Sequence, residues 1–246
     1  MGRIIAISSG KGGVGKTTMC ANLAAALADL GKTVVAVDTN FTTPNLGMHL
    51  GIPLYPITIQ DILRGRAGIK DAIYNHQSGF RILPADVSIA GLMVPKANEL
   101  LDIFYKLRAD FVLIDSAAGL GKETKASLEA ADELITVANP EMTSITDAIK
   151  LHALADRYQT RKVGVIVNMV RNEGHEMDEL EIANFLEAPV LGQVRDDRHV
   201  RQSIAAKRPV VHHRPGSKAA RQIKGIAARL CGVKYQEPLL ARIFRL

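Results

Sequence analysis

An α/β fold, doubly wound, with a mostly parallel sheet flanked by helices, is predicted by two features of the sequence. Short β-branched runs alternate with helix-length amphipathic stretches. The composition is 47% hydrophobic but only 4% aromatic, with no Trp among 246 residues. A core filled by Ala, Val, Ile and Leu suits a sheet covered on both faces, and a chain of this length can bury one.

The elements follow in order. Ile4–Ser8 is an apolar run that ends at a glycine-rich loop, so it reads as a buried strand, not as a signal peptide. Thr17–Leu30, rich in Ala and Leu, reads as the helix after that loop, and Val34–Asp38 as the next strand. Ala97–Leu107 is a helix by its apolar spacing, and Phe111–Asp115 is an apolar strand ending in a carboxylate. Lys122–Ala131, Ser144–Tyr158, Met177–Leu186, Val200–Ala206 and Lys218–Leu230 are further helices. Between them, Leu134–Ala138, Val163–Asn168 and Pro189–Val194 are strands. Strand, helix, strand in repetition implies parallel crossover units, with ligands beyond the carboxyl ends of the strands. No Gly/Pro/Ser-rich linker or repeat divides the chain. Residues 1–232 are therefore expected as one domain, with 233–246 as an appended tail.

The segment Gly10-Lys11-Gly12-Gly13-Val14-Gly15-Lys16-Thr17-Thr18 matches the phosphate-loop pattern G-x-x-x-x-G-K-[ST], between a strand and a helix. Glycines allow successive backbone N–H groups to surround phosphate oxygens, and the helix N-terminus favours the same anion. Lys16 supplies a charge to the β- and γ-phosphates, and the Thr17 hydroxyl is a magnesium ligand. ATP and Mg2+ are the expected cofactors.

Charge and cysteines narrow the setting. The net charge is +6, and the last 46 residues hold eleven basic side chains against one acidic, Glu237. That end is suited to an anionic surface, lipid or nucleic acid, or else is a solvated basic helix. Cys20 and Cys231 lie far apart in the sequence, so neither a disulfide framework nor a cysteine-built metal site is expected, and a reducing cytoplasm is. No stretch approaches bilayer-spanning length.

The second lysine, Lys11, makes the loop resemble the deviant phosphate loop K-G-G-x-G-K-[ST] of the MinD/ParA family. The resemblance continues through most of the chain. Asp38 stands at the family's first switch. Asp115 followed by Ser116-Ala117-Ala118-Gly119 stands at its second, and Asn139-Pro140-Glu141 with Ser144, Asp147 and Ala148 matches a further segment. Asn168 ends a strand where the family reads the adenine edge, and Thr42-Thr43-Pro44-Asn45-Leu46-Gly47 looks most like archaeal MinD-like proteins. The resemblance implies that Lys11 reaches the phosphates of a partner across an ATP-dependent homodimer. It also implies that Asp38 and Asp115 hold magnesium through water. Lys11, Lys16, Asp38, Asn40 and Asp115 are the expected catalytic set. Two departures stand out. Asn40 occupies a position where many relatives carry Asp; it can orient water but cannot take a proton, so hydrolysis is expected to be slow. Val194-Arg195-Asp196-Asp197 replaces a Pro-Glu-Asp run.

In the tail, Leu239, Leu240, Ile243, Phe244 and Leu246 share one arc of a helix with Arg242 and Arg245 opposite, after Pro238. This arrangement suits an interfacial membrane anchor. The other reading, a last helix docked on the body, is weaker because Tyr235–Pro238 breaks from the preceding helix. The leading expectation is a MinD-like ATPase, cytoplasmic and peripherally membrane-bound in its ATP state, that positions an unspecified protein partner. A ParA-like DNA-partitioning ATPase is the alternative. An iron–sulfur carrier finds no paired cysteine ligands, and a biosynthetic ATP-dependent enzyme would need a pocket beside the γ-phosphate.

Overall fold

A computed structural model describes residues 2–52 and 54–235. The apolar arc of the tail lies outside the described residues. The elements are β1 (Arg3–Ser9), α1 (Lys16–Asp29), β2 (Val34–Asp38), α2 (Leu46–His49), α3 (Ile59–Leu63), β3 (Tyr74–Asn75), β4 (Arg81–Leu83), α4 (Ala97–Lys106) and β5 (Phe111–Ala118). They continue as α5 (Lys122–Glu129), β6 (Glu133–Ala138), α6 (Met142–Arg157), β7 (Arg161–Val170), α7 (Glu179–Leu186), β8 (Val190–Arg195), α8 (Arg198–Ala205), α9 (Val210–His213) and α10 (Lys218–Leu230). All six expected strands and seven expected helices are present, with ends shifted by at most three residues. The short pieces β3, β4, α2, α3 and α9 had no pattern long enough to reveal them.

The strands form one sheet in the order β3-β4-β2-β5-β1-β6-β7-β8. Every neighbouring pair is parallel except the edge pair β3–β4. Both faces are buried, and the strand period of two divides the side chains between them. Ile5 and Ile7 of β1, Val34 and Ala36 of β2, and Phe111 and Leu113 of β5 enter the core under α1 and α10. Ile4 and Ala6, Val35 and Val37, and Val112 and Ile114 enter the core under α4, α5 and α6. This is why these strands read as continuous apolar runs and not as alternating ones.

Helix α1 is buried almost all round. Met19, Leu23 and Leu27 are fully enclosed, because α2, α9 and α10 cover what the sheet does not. A helix so enclosed holds its first turn, and the loop before it, in fixed relation to β1 and β5. At the opposite end of the sheet, buried Glu133 accepts hydrogen bonds from Arg3 and Arg161, while Arg3 Nη1 donates to Leu230 O at 2.7 Å. These charges tie the amino end of the sheet to α10, far from the carboxyl ends where the loops converge. No described helix is long and apolar enough to cross a membrane.

Candidate functional site

The chain leaves β1 at Ser9 and enters α1 at Lys16, and the loop between closes tightly. Ser9 Oγ donates to Lys11 O at 2.6 Å. Two glycines are required by contact, and Gly15 by conformation as well. Gly15 has φ 97°, and a Cβ there would lie 2.3 Å from Asn168 Nδ2. A Cβ on Gly10 would lie 2.3 Å from the backbone of Asp147 on α6. The loop is thus wedged between β7 and α6, and it borders a cavity of about 800 Å³. That volume lies in the range of ligand clefts.

Gly12, Gly13, Gly15, Lys16, Thr17, Thr18 and Asn40 line this cavity. Gly10, Lys11, Val14 and Asn168 are not among its lining residues, and the Val14 side chain is part of the core. Lys16 is 9% exposed. Burial holds its ammonium below the usual value, and the Asp115 carboxylate pulls it partly back. A desolvated cation aimed into a phosphate-sized cleft is an electrostatic trap for anions.

Asp38 and Asp115 are register partners on β2 and β5, and each is 1% exposed. Burial, and then the neighbouring Asp115 charge, push the Asp38 carboxyl up to about 8, against three backbone N–H groups that favour the charged form. Burial likewise raises Asp115, to about 6, against the Thr17 hydroxyl and Lys16. Asp115 Oδ1 has no hydrogen-bond partner, although it is enclosed. An orphaned carboxylate oxygen beside a second carboxylate and the Thr17 hydroxyl suits a hydrated magnesium ion. The described residues contain no group of three or more His, Cys, Asp or Glu side chains placed to enclose a metal. The ion expected here is therefore one that keeps waters and phosphate oxygens as ligands.

Asp38 has a second task that the sequence did not reveal. Its Oδ1 accepts from Asn40 N at 3.0 Å, and its Oδ2 accepts from Asn45 N and Leu46 N at 3.0 Å each. The carboxylate organises the whole loop from 39 to 46 and starts α2. Asn40 Oδ1 is held by Thr43 N and Thr43 Oγ1 at 3.2 and 3.1 Å. The second loop is tied to the first, since Gly119 N donates to Ser9 O at 3.0 Å.

Two expected residues sit differently from a simple reading. Asn168 Nδ2 donates to Val14 O at 2.7 Å in a buried setting, so its amide holds the phosphate loop and leaves its oxygen for a ligand. Lys11 pairs with Glu141 of its own chain at 3.0 Å, and both are substantially exposed. Sequence reasoning missed Glu123, which is buried, lines the cavity and accepts from Thr42 Oγ1. It also missed His49, Val94, Met169 and Ile204 on the cavity wall. With Glu123, they come from five separate places in the chain, and no local pattern marks them.

The family described as CobQ/CobB/MinD/ParA nucleotide binding domain matches residues 5–210. An uncharacterized ATP-binding protein of Methanocaldococcus jannaschii is 44% identical over 237 residues, covering 96% of this chain and 90% of that protein. The septum site-determining protein MinD of Synechocystis is 34% identical, covering 94% and 90%. The structure of MinD complexed with Mg-ADP from Pyrococcus horikoshii superimposes with a TM-score of 0.89 at 33% identity, covering 96% of this chain and all of that one.

Proposed function

The chain belongs to the CobQ/CobB/MinD/ParA nucleotide-binding family, and from that premise we propose that it is a MinD-like, ATP-dependent dimerising switch. In the ATP state two copies associate face to face, bind membrane through their tails and position a protein partner. Slow hydrolysis of ATP to ADP and phosphate ends that state.

The observation that carries this reading is the division of labour between the two loop lysines. Lys16 is buried in the cavity, where it meets the β- and γ-phosphates of its own nucleotide. Lys11 points outward to the exposed Glu141 and is available to a second copy. Exposed Leu120 and Met142 belong to the segments that flank the loop, which gives that face apolar surface to bury against a partner. Solvent-exposed ion pairs contribute little stability, so exchanging Glu141 for a partner's phosphate is energetically accessible.

Thr17 would hold magnesium through its hydroxyl, and Asp38 and Asp115 would hold it through water. When bound, the ion neutralises charge on the phosphates. Lys16 and the loop N–H groups orient the γ-phosphate. Asn40, with its oxygen held by Thr43, positions a water by hydrogen bonding but accepts no proton. Hydrolysis then depends on positioning and charge stabilisation alone, and a long-lived ATP state follows.

The tail, residues 233–246, supplies the membrane contact through Leu239, Leu240, Ile243, Phe244 and Leu246. One short apolar tail is a weak anchor, whereas two on one dimer gain roughly a hundredfold in avidity. Co-sedimentation with anionic liposomes tests the whole reading. ATP promotes binding, ADP does not, and Phe244→Glu abolishes the effect without changing ATP affinity. Equal sedimentation in ATP and ADP, or salt-sensitive retention on DNA in its place, contradicts the membrane switch and returns the DNA-partitioning alternative.

A further inference from the structure

The start of α8, the start of α10 and the end of β8 meet in a basic face that nucleotide binding does not use. From Arg198 to Lys234 the chain holds ten Lys and Arg and no Asp or Glu. Arg201 pairs with Asp196 at 2.8 Å and Lys224 lies 3.8 Å from Asp29, but Arg198 and Lys218 have no ion pair among the described residues. Both are exposed.

The fold gathers these charges. Asp197 joins the two helices at their first turns: its Oδ1 accepts from His199 N at 2.9 Å and its Oδ2 from Ala219 N at 3.3 Å. Arg195 N donates to Gln222 Oε1 at 3.0 Å, which fixes the end of β8 against α10. Arg195, Lys218 and Arg221 then line one cleft of about 380 Å³ with Gln222 and Tyr235. The two carboxylates at hand are already committed, Asp196 to Arg171 and Arg201, and Asp197 to His199. Arg198 and Lys218 are moreover the first residues of their helices, and neither first turn carries an acidic residue. A helix dipole repels cations at that end, so the placement does not stabilise the free protein and becomes favourable beside an anionic surface.

The chain itself leads to the same place. Helix α10 ends at Leu230, Gly232 turns with φ 69°, and Val233 N donates back to Ala228 O at 3.0 Å. The chain then returns along its own helix. Gly232, Val233, Lys234 and Tyr235 share a groove with Gln222, Gly225 and Arg229, and Tyr235 reaches the cleft beside Lys218 and Arg221. Leu239, the first residue of the apolar arc, is four residues further on. At no more than about 3.6 Å per residue, it starts within about 14 Å of Tyr235. An interface that takes up that arc is thereby held within reach of the basic face. Nucleic acid is the other polyanion, but from Arg198 to Lys234 there is no Phe, Tyr or Trp for a base to stack on, and a duplex would leave the neighbouring apolar arc in water. We propose that this basic face of the folded domain docks on an anionic lipid surface beside the tail. The inference rests on the membrane reading and adds to the tail a second contact, built by the domain.

Co-sedimentation of the full chain with ATP and magnesium tests it, on vesicles of phosphatidylcholine alone and of phosphatidylcholine mixed with phosphatidylglycerol. The variant carries Arg198→Glu and Lys218→Glu together. Acidic residues are favoured at the first position of a helix, so the variant folds, and its ATP affinity in solution checks that it does. Each Lys or Arg at an anionic surface is worth about fivefold in binding, so the double variant binds the mixed vesicles at least about 25-fold more weakly than wild type. Binding to phosphatidylcholine alone is weaker and the same for both proteins. Undiminished binding of the variant to mixed vesicles, where Phe244→Glu abolishes it, overturns the basic face and leaves the tail reading standing. Wild-type protein that sediments with neither vesicle refutes the membrane reading, and this contact with it. A variant that loses retention on duplex DNA but not on vesicles assigns the face to nucleic acid and overturns the proposal.

Discussion

Removing the buried charge at Asp115 is predicted to stabilise the nucleotide-free chain while it damages the site. The enclosed carboxyl is pushed up to about 6 from an ordinary 3.8. The Thr17 hydroxyl and the Lys16 charge oppose this rise without cancelling it. A carboxyl whose folded pKa exceeds its unfolded one contributes stability below the unfolded value and loses it as pH rises through the folded value. About two pKa units correspond to about 3 kcal/mol, fully expressed at pH 8 and shrinking to under about 1 kcal/mol at pH 4. Asp115→Asn keeps the shape without the charge, and it also relieves Asp38 of a like charge that raises its own pKa. For a chain of this size about 3 kcal/mol moves the melting temperature by about 6–12 °C. Thermal unfolding of both proteins without nucleotide or magnesium, at pH 4 and pH 8, measures it. The variant should melt higher at pH 8, with the gap largely closed at pH 4, and should lose the magnesium-dependent part of ADP affinity. A variant that melts at or below wild type at pH 8 would refute the claim that Asp115 is a destabilised charge awaiting a cation.

Three further outcomes follow from the site. Lys16→Ala should weaken ADP binding at least about tenfold, while Lys11→Ala retains most of it but no longer dimerises with ATP; calorimetry and light scattering separate the two lysines. Asn40→Asp should raise the rate of phosphate release, because the new carboxylate can take a proton, and an unchanged or lower rate in a phosphate-release assay shows that another group limits hydrolysis. Asn168→Ala should cost about 1–3 kcal/mol by leaving the buried Val14 carbonyl unpaired. Asn168→Asp should cost more, because it faces that carbonyl with an acceptor, and denaturant unfolding that ranks the two equally denies Asn168 its grip on the loop.

Thermodynamically, the site is assembled from groups that do not favour the empty fold. Lys16 is desolvated, Asp38 and Asp115 are enclosed side by side, and one oxygen of Asp115 is unpaired. The strain is sustained by the surrounding core. Helix α1 is enclosed by the sheet, α2, α9 and α10, and β1 and β5 are buried on both faces. In the proposed function, a nucleotide with its magnesium would supply the charges that these groups lack, and its binding energy would come from satisfying groups already in place.

The sequence by itself determined the strands that carry the site, the order of the motifs along the chain and the chemistry of the phosphate loop. Strand runs buried on both faces, and a loop whose glycines are demanded by backbone geometry, are local features, and local features are written in consecutive residues. Tertiary structure alone decided what each motif touches. Asp38 proved to cap α2 through the fold of its own loop, while Asn168 holds Val14 and Lys11 rests on Glu141 because parallel crossovers bring together residues 154 and 130 positions apart in the chain. His49, Glu123, Met169 and Ile204 joined the cavity wall for the same reason. A hydrogen bond or a shared surface depends on distance in space, and the order of residues along a chain does not encode which distant partner closes it.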